Sequence, residues 1–412
     1  MKIRRYSPST ALAALLALAM PCADAGAGTF KVLHTFAGGT TDGANPMGNL
    51  VADAAGNLYG TTGYGGANGD GTIYRLSPPI GGQTRWTETI LYSFGSIARD
   101  GEGPVAGLLI DQNGALDGTT EGGGSAQYGT VFRLTPPTTG QTRWTETILY
   151  NFDLDRREGR SPEAPLTMDA HGRLYGTTNQ GGLHGSGTVF MLTPPVGTGE
   201  WTETFLYQFP NGYTVGNLVV DASGIVYGLQ GVNSVFKLVP PAAGKQYYKF
   251  SLIGAACATT GGNTGLTANG TGGFYVLCSN GVSTLTPPTS GTAWIRSTLY
   301  TFGAAPPDGS TPNDAPMLAA DGALYYTTRI GGAYGYGAAF ELKRPKSNNG
   351  SWTETRLGSG TSESHGAYPI GGVIVDAKGD VFGTMAYGGN LPAINPKTLN
   401  LQGNGTVYEI TP

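Results

Sequence analysis

Charge is scarce in this chain. Lysine, arginine, aspartate and glutamate make up 13% of its 412 residues, and the formal net charge is −4 at pH 7. No basic patch stands out, so a nucleic-acid partner, which needs clustered lysine and arginine, is not expected. Histidine occurs four times and cysteine three times. Their spacing matches no metal-ligand motif, and the sequence therefore predicts neither a metal site nor a cofactor.

Long apolar runs are also missing, with one exception near the N-terminus. Residues 11–20 are apolar and follow a short stretch that carries three basic side chains. This pattern is typical of a secretory signal peptide, and the run is too short to span a bilayer as a helix. We predict a signal peptide over residues 1–27, cleaved near Ala25 or Ala27. The mature protein is then secreted or periplasmic and has no transmembrane segment.

The few cysteines are compatible with export. Cys22 lies within the predicted signal, where Met20 and Pro21 fit the sequence around a lipidated cysteine poorly. Cys257 and Cys278 would remain in the mature chain, and an even pair in an exported protein favours a disulfide. The alternative interpretation is two small buried side chains within one degenerate repeat.

What the sequence has in excess is glycine, 69 residues of 412, and a repeated block. The block reads Asp-Ala-x-Gly-x-Leu-Tyr-Gly-Thr-Thr, then Gly-Gly, then Gly-Thr-Val-Phe-x-Leu-Thr-Pro-Pro, then Trp-Thr-Glu-Thr-x-Leu-Tyr-x-Phe. Its later segments alternate apolar and polar residues, as half-buried strands do. Units of this size are typical of the four-stranded blades of a β-propeller. The Leu-Tyr position marks seven copies, 48 to 58 residues apart: Tyr59, Asp117, Tyr175, Tyr227, Tyr275, Tyr325 and Phe382.

The last copy lacks its final segment, and a match to that segment occurs alone at the N-terminus. The final copy stops at Pro412, whereas residues 29–36 form the isolated match. A strand displaced in this way closes a ring, because it completes the last repeat and removes an exposed edge. We therefore predict an all-β protein in which residues 28–412 form a single seven-bladed β-propeller with four antiparallel strands per blade. Residues 29–36 would close the ring by joining 367–412 as blade 7.

The repeat resembles the GloVer tandem-repeat family of exported bacterial proteins. The resemblance rests on Leu58–Thr62, on Gly65 and Gly66, and on Gly71–Leu76, and the motif recurs over nearly the whole chain after the predicted signal. It implies a propeller-like fold and export. It carries over no site residue, because the family has no agreed catalytic residues. Members carry assorted C-terminal surface anchors, and this chain is expected to lack one.

Strand order sorts the loops onto two faces of the predicted ring. The first face carries turns whose aspartates we expect to hydrogen-bond the backbone: Asp53, Asp111, Asp169, Asp221 and Asp376. The opposite face, here called the second face, carries the glycine-rich loops and the connections between blades, in which Asp-Gly-x-x-Pro recurs. Exposed polar and aromatic residues collect there, and we predict that seven of them bind ligand: Tyr64, Asp70, Tyr128, His184, Tyr334, Tyr336 and Tyr387.

Three hypotheses about function follow from this arrangement. The first is a monomeric module that binds an extracellular polysaccharide or cell-surface glycan at the second face. The second is a polysaccharide lyase or hydrolase, in which His184 or His365 acts as base or acid and Arg157 neutralises a carboxylate. Asp117 and Glu121 could instead pair as glycosidase carboxylates. The third is a structural or protein-interaction scaffold. The histidines would then have no catalytic role, because histidines in exposed loops are commonly just solvated.

Overall fold

In the computed structural model, residues 28–153, 158–231, 233–245, 247–257, 263–303, 308–347, 350–361, 364–390 and 402–412 are described. Over these residues the chain is all β, and seven antiparallel four-stranded sheets are arranged as the blades of a propeller. The predicted fold class is confirmed. The predicted signal peptide, residues 1–27, and the candidate Arg157 lie outside the described residues.

The strands are labelled in chain order. The described chain begins with β1 (Thr29–Thr35) and β2 (Gly43–Ala44). Blade 1 follows as β3 (Val51–Ala52), β4 (Leu58–Thr62), β5 (Tyr64–Gly65), β6 (Thr72–Ser77) and β7 (Thr87–Ser93). Blade 2 has β8 (Gly101–Glu102), β9 (Leu109–Ile110), β10 (Leu116–Thr120), β11 (Gly122–Gly123), β12 (Thr130–Thr135) and β13 (Thr145–Asn151). Blade 3 has β14 (Gly159–Arg160), β15 (Thr167–Met168), β16 (Leu174–Thr178), β17 (Gln180–Gly181), β18 (Thr188–Thr193) and β19 (Thr202–Gln208).

The remaining blades continue the series. Blade 4 has β20 (Thr214–Val220), β21 (Val226–Gln230), β22 (Ser234–Val239) and β23 (Lys249–Ala255). Blade 5 has β24 (Asn263–Ala268), β25 (Phe274–Cys278), β26 (Gly281–Thr286) and β27 (Ile295–Thr301). Blade 6 has β28 (Gly309–Ser310), β29 (Met317–Leu318), β30 (Leu324–Thr328), β31 (Ile330–Gly331), β32 (Ala338–Lys343) and β33 (Thr353–Ser359). Blade 7 has β34 (Ile374–Val375), β35 (Val381–Met385) and β36 (Thr406–Thr411).

The N-terminal strand closes the ring. β1 pairs antiparallel with β36, from Thr29 opposite Thr411 to Thr35 opposite Thr406. The blade 7 sheet therefore has the order β1-β36-β35-β34, with its outermost strand supplied by the other end of the chain. Because β1 covers the edge of β36, blade 7 has a four-stranded sheet like those of the other blades.

A recurring aromatic contact joins five pairs of neighbouring blades. In these pairs the phenylalanine that follows the outermost strand of one blade meets an aromatic ring in the next blade, mostly edge to face, whereas Ala256 and Gly360 occupy this position after β23 and β33. This geometry contributes about 0.5–1.5 kcal/mol per pair beyond burial, and it explains the Tyr-x-Phe ending of the repeat. Centroid separations run from 5.1 to 5.8 Å for Phe36–Tyr74, Phe94–Phe132, Phe152–Phe190, Phe209–Phe236 and Phe302–Tyr326.

Short two-stranded ribbons tie the blade connections to the second-face loops. In blades 1, 2, 3 and 6 the Asp-Gly connection pairs with the start of the glycine-rich loop, as β2 with β5, β8 with β11, β14 with β17 and β28 with β31. Blades 4 and 5 show no such ribbon in their described residues, and β20 and β24 are longer instead. In blade 5 a disulfide joins Cys257, in the connection, to Cys278, at the end of β25. The disulfide thus fastens the connection where other blades use hydrogen bonds.

Candidate functional site

All seven blades contribute to one cavity of about 440 Å³. Six of them contribute residues of the connection that precedes the innermost strand, and blade 5 contributes Ser279 after its second strand, so the cavity opens at the second face. Each blade contributes to the lining, in order through Asn49, Val105, Glu163, Tyr213, Ser279, Asp314 and Ile370. A concave site of this size, assembled from a rigid ring, is the kind of place where a small ligand or a chain end binds.

A hydrogen-bonded network fixes one side of this cavity. Asn49 donates through Nδ2 to the Asp314 carboxylate, and the Gly372 amide donates to Asn49 Oδ1 at 2.7 Å and to Asp314 at 3.2 Å. These three residues belong to blades 1, 6 and 7, so the network holds the blades around the opening in register. Burial within the ring raises the pKa of the Asp314 carboxyl to about 6, although these donors favour its charged form.

The opposite side of the cavity is also polar. Glu163 is solvent-exposed and accepts a hydrogen bond from Asn179 Nδ2 at 3.2 Å. Among the described residues that line the cavity there is no lysine, arginine or histidine. A ligand with a carboxylate or sulfate would therefore meet Glu163 and Asp314 without a compensating cation. Hydroxyl-rich neutral ligands and cations suit this electrostatic environment better.

Three tyrosines form a cluster beside the cavity. Tyr368 meets Tyr336 at 6.1 Å and Tyr387 at 6.3 Å between ring centroids, both edge to face. The Arg329 guanidinium lies 5.6 Å from the Tyr368 ring. Tyr368 is two residues before Ile370, which lines the cavity, whereas the three tyrosine rings themselves are not part of its lining. The cluster joins blades 6 and 7.

Tyr368 holds an unusual backbone conformation. Its φ is 59°, in the left-handed region that bulky residues rarely adopt. The corresponding position of the Asp-Gly-x-x-Pro connection is also left-handed in other blades, at Asn45, Gly103, Ser161 and Thr311. The connection thus requires this geometry, and blade 7 places a large aromatic side chain where other blades have smaller ones.

The structure brings only two of the predicted ligand-binding residues together, Tyr336 and Tyr387. The others are distributed around the ring. Tyr64 and Tyr334 are 55% and 61% exposed, His184 is exposed, and Asp70 is half-buried. Tyr128 is half-buried and stacks under the Arg160 guanidinium at 4.2 Å.

The candidate catalytic residues do not converge. The His365 ring stacks on Phe30 of the closing strand at 4.5 Å and does not line the cavity. Asp117 is fully buried in β10 and accepts two hydrogen bonds of 2.7 Å from Arg133. This cross-strand ion pair gives Asp117 a packing role, because its lone pairs are directed at the guanidinium. The first-face aspartates, by contrast, form the expected turns, with carboxylates accepting backbone amides at Asp53, Asp111, Asp169, Asp221 and Asp376.

Sequence reasoning missed Asn49, Asp314 and Tyr368. Asp314 occupies the repeat position that holds Gly48, Ala106, Ala164 and Gly371 in other blades, so its signal was a carboxylate where these blades have small residues. The signal for Tyr368 was a bulky residue at the fourth position of Asp-Gly-x-x-Pro, directly before the proline. Neither signal shows from sequence which side chains meet across the ring.

The pattern of the Gloeobacter/Verrucomicrobia repeat matches residues 23–235 and 82–292. The chain belongs to this family. A search of curated proteins found no match. The described residues include no helix with the length and apolar character that a membrane crossing needs.

Several solved structures share the fold of this family member. Two are extracellular domains from B. thetaiotaomicron, of proteins described as a one-component and a hybrid two-component system. They are 14% and 12% identical with TM-scores of 0.55 and 0.54; each match covers 93% of this chain and 42% or 41% of the other. A fungal AA5-family alcohol oxidase in complex with copper is 13% identical, with a TM-score of 0.53 over 93% of this chain and 76% of the oxidase. At these identities the likeness establishes the propeller fold alone, and this chain spans about two fifths of the two bacterial chains.

Proposed function

We propose that this repeat protein is an exported binding module that holds a neutral polysaccharide or cell-surface glycan at its second face. The observation that carries the proposal is the cavity to which every blade contributes, lined by amide, hydroxyl and carboxylate groups among apolar side chains. The tyrosine cluster lies two residues along the chain from the lining residue Ile370. Hydroxyl groups of a sugar pair well with amides and carboxylates, and tyrosine rings offer flat apolar surface with a polar edge. A closed ring holds these groups in place before the ligand arrives, which lowers the entropic cost of binding.

Export is supported by three independent observations. The N-terminal sequence has the charged and apolar regions of a signal peptide. The Cys257–Cys278 disulfide suits an oxidising compartment. Two of the similar structures are extracellular domains. We expect the mature protein to start near residue 28 and to act as a monomer outside the cytoplasm.

The test is retention of the mature protein on a panel of neutral and acidic polysaccharides, followed by calorimetry with the best neutral oligosaccharide. We expect Asp314→Asn and Tyr336→Ala each to weaken binding about tenfold, which corresponds to ~1.4 kcal/mol. Tyr247→Ala is the matched control, because Tyr247 is 84% exposed beside the outermost strand of blade 4. Failure to bind any polysaccharide would reject the proposal and leave an interaction scaffold as the better hypothesis.

Hydrolysis at the same cavity is a second candidate function. Asp314, whose pKa is raised, and Glu163, which is exposed, place two carboxyl groups in one cavity. Such a pair can serve as general acid and base in glycoside cleavage. Hydrolysis would be established if the protein releases reducing ends from a polysaccharide and each of the single variants Asp314→Asn and Glu163→Gln abolishes that release. Unsaturated products absorbing in the ultraviolet would instead indicate a lyase, which the lining described above disfavours, because it offers no cation for a uronate.

A further inference from the structure

A carboxylate-rich contact recurs where one blade meets the next. The tyrosine of an outermost strand donates to the acid of the following Asp-Gly-x-x-Pro connection, and the glutamate of the next outermost strand lies beside them. Tyr92 donates to Asp100 at 2.8 Å, with Glu146 close enough for its charge to interact with Asp100. The same arrangement occurs with Tyr150, Glu158 and Glu203, and with Tyr300, Asp308 and Glu354. We call each set an interface triad.

The interface triad at the ring closure differs in one residue. Between β1 and blade 1, His34 takes the place of the tyrosine, and it faces Asp42 and Glu88. His34 Nε2 lies 3.5 Å from Asp42 Oδ2 and 3.9 Å from Glu88 Oε1. One ligand atom from each of the three side chains falls within 4.8 Å of the other two. The residue change replaces a neutral phenol with an imidazole nitrogen, which is a good ligand for metal ions.

Two of these ligand atoms make no close hydrogen bond within the protein. His34 Nε2 and Glu88 Oε1 are both shielded from solvent, and the nearest acid to His34 Nε2 is Asp42 Oδ2 at 3.5 Å. Asp42 is oriented by the backbone amides of Ala37 and Gly43, which donate to its two oxygens at 2.7 and 2.6 Å. Fixed carboxylate orientation of this kind is a regular feature around metal ligands. Buried polar atoms without partners are rare in folded proteins, and here two of them face each other.

The geometry fits a small divalent transition-metal ion. Ligand atoms lie ~2.0–2.2 Å from a tetrahedral zinc ion, so that any two are about 3.4 Å apart. The two measured separations, 3.5 and 3.9 Å, are close to that value. We propose that His34, Asp42 and Glu88 bind one zinc-like divalent ion, with water as the fourth ligand. One nitrogen and two carboxylates favour zinc over calcium, which prefers six to eight oxygen ligands.

Such an ion would connect the closing strand to blade 1. His34 lies on the closing strand, whereas Asp42 lies in the connection that follows it and Glu88 on β7 of blade 1. The ligands come together only when β1 is in place against the ring. Metal binding therefore stabilises the closed ring, because the unfolded chain offers no preformed site.

The experiment strips metal from the mature protein with EDTA, adds zinc, removes the excess by gel filtration, and then measures the bound zinc and the thermal midpoint. Wild type should retain about one zinc per chain and gain several degrees in thermal midpoint, whereas calcium should produce neither effect. His34→Tyr restores the tyrosine of the other interface triads, and it should fold normally, bind no zinc at this site and show no zinc-dependent rise. Glu88→Gln is a second variant in case His34→Tyr misfolds, and it should weaken zinc binding at least tenfold.

His184→Ala is the matched control, since His184 is exposed in a loop and its loss should leave zinc stoichiometry unchanged. Absence of zinc binding by the wild type would overturn the proposal. Retention of full stoichiometry and affinity in both His34→Tyr and Glu88→Gln would overturn it as well. Polysaccharide binding serves as a separate readout, because the metal site and the cavity share no residue.

Discussion

Single residues carry the departures from the repeat, and Tyr368 is the clearest case. A bulky residue in the left-handed region costs on the order of 1–3 kcal/mol, and the smaller Asn45, Ser161 or Thr311 satisfies the same connection in other blades. The contacts with Tyr336, Tyr387 and Arg329 hold the ring of Tyr368 despite this cost. Strain of this kind is commonly concentrated where a side chain serves a ligand.

Replacing Tyr368 with glycine should therefore separate stability from binding. Relief of backbone strain offsets the lost packing, so that the free energy of unfolding should change by less than about 1 kcal/mol. Affinity for the neutral oligosaccharide should fall at least tenfold. Ser161→Gly, at the same left-handed position in blade 3, should leave affinity unchanged. Thermal unfolding measures the change in stability, and calorimetry measures the change in affinity. A large loss of stability with intact affinity would show that Tyr368 is only structural.

Whole elements differ in how the connections are fastened. Four blades use the short ribbons, and blade 5 uses the Cys257–Cys278 disulfide, with the two cysteines 21 positions apart. A cross-link that closes a loop of this length stabilises by about 3 kcal/mol in the chain-entropy account.

The double variant Cys257→Ser with Cys278→Ser should lower the free energy of unfolding by about 3 kcal/mol. Chemical denaturation with and without reductant measures this. Reductant should destabilise the wild type and have no effect on the double variant. Equal free energies of unfolding for the wild type and the double variant under oxidising conditions would mean that hydrogen bonding alone holds the connection of blade 5 in place.

The closing strand is the second element with a testable role. Deletion of residues 28–36 would expose the edge of β36 along its full pairing with β1, and exposed edges recruit other strands. We expect the shortened protein to associate in gel filtration, and a peptide of residues 29–36 added in excess to restore the monomer. A shortened protein that stays monomeric with an unchanged thermal midpoint would show that β1 is dispensable.

The seven-fold repetition was predictable from sequence because each repeat carries its own turn, strand and proline signals. The displaced segment at 29–36 predicted closure for the same local reason. The cavity was not predictable, since Asn49 and Asp314 meet only after six blades have turned around the axis. The role of Asp117 was not predictable for a similar reason, although its partner is much closer in sequence. Its ion pair with Arg133 depends on the register between β10 and β12, which the sequence pattern does not specify.

At the scale of the whole molecule, the glutamates of the interface triads affect the response to pH. Burial raises the pKa of Glu146 to about 7, and of Glu203 and Glu354 to about 8. The unfolded chain releases these protons near pH 4.5, whereas the folded ring retains them to higher pH. Rising pH therefore favours the unfolded state throughout the interval between these pKa values.

We expect the thermal midpoint of the metal-free protein to fall as the pH rises from about 5 to 8. The variant Glu146→Gln with Glu203→Gln should flatten that slope, because the amides do not titrate. At lower pH the opposite trend should appear, since Asp53 and Asp169 have lowered pKa values and lose stabilising hydrogen bonds to their charged forms when protonated. A midpoint that is level from pH 5 to 8 would refute the burial of ionisable glutamates between blades.

Ring closure by the first strand also sets an order of assembly. During synthesis β1 emerges long before β36, and nearly the entire chain separates the two partners. The seam cannot form until the last strand has arrived, and such distant pairings fold slowly. We expect β1 to be cut by protease in any chain that stops before β36 and to be protected in the complete one. Pairing of the final strand is therefore the step that commits the protein to its folded state. In a chain that stops shortly before β36, β1 is as sensitive to protease as in a chain that stops much earlier.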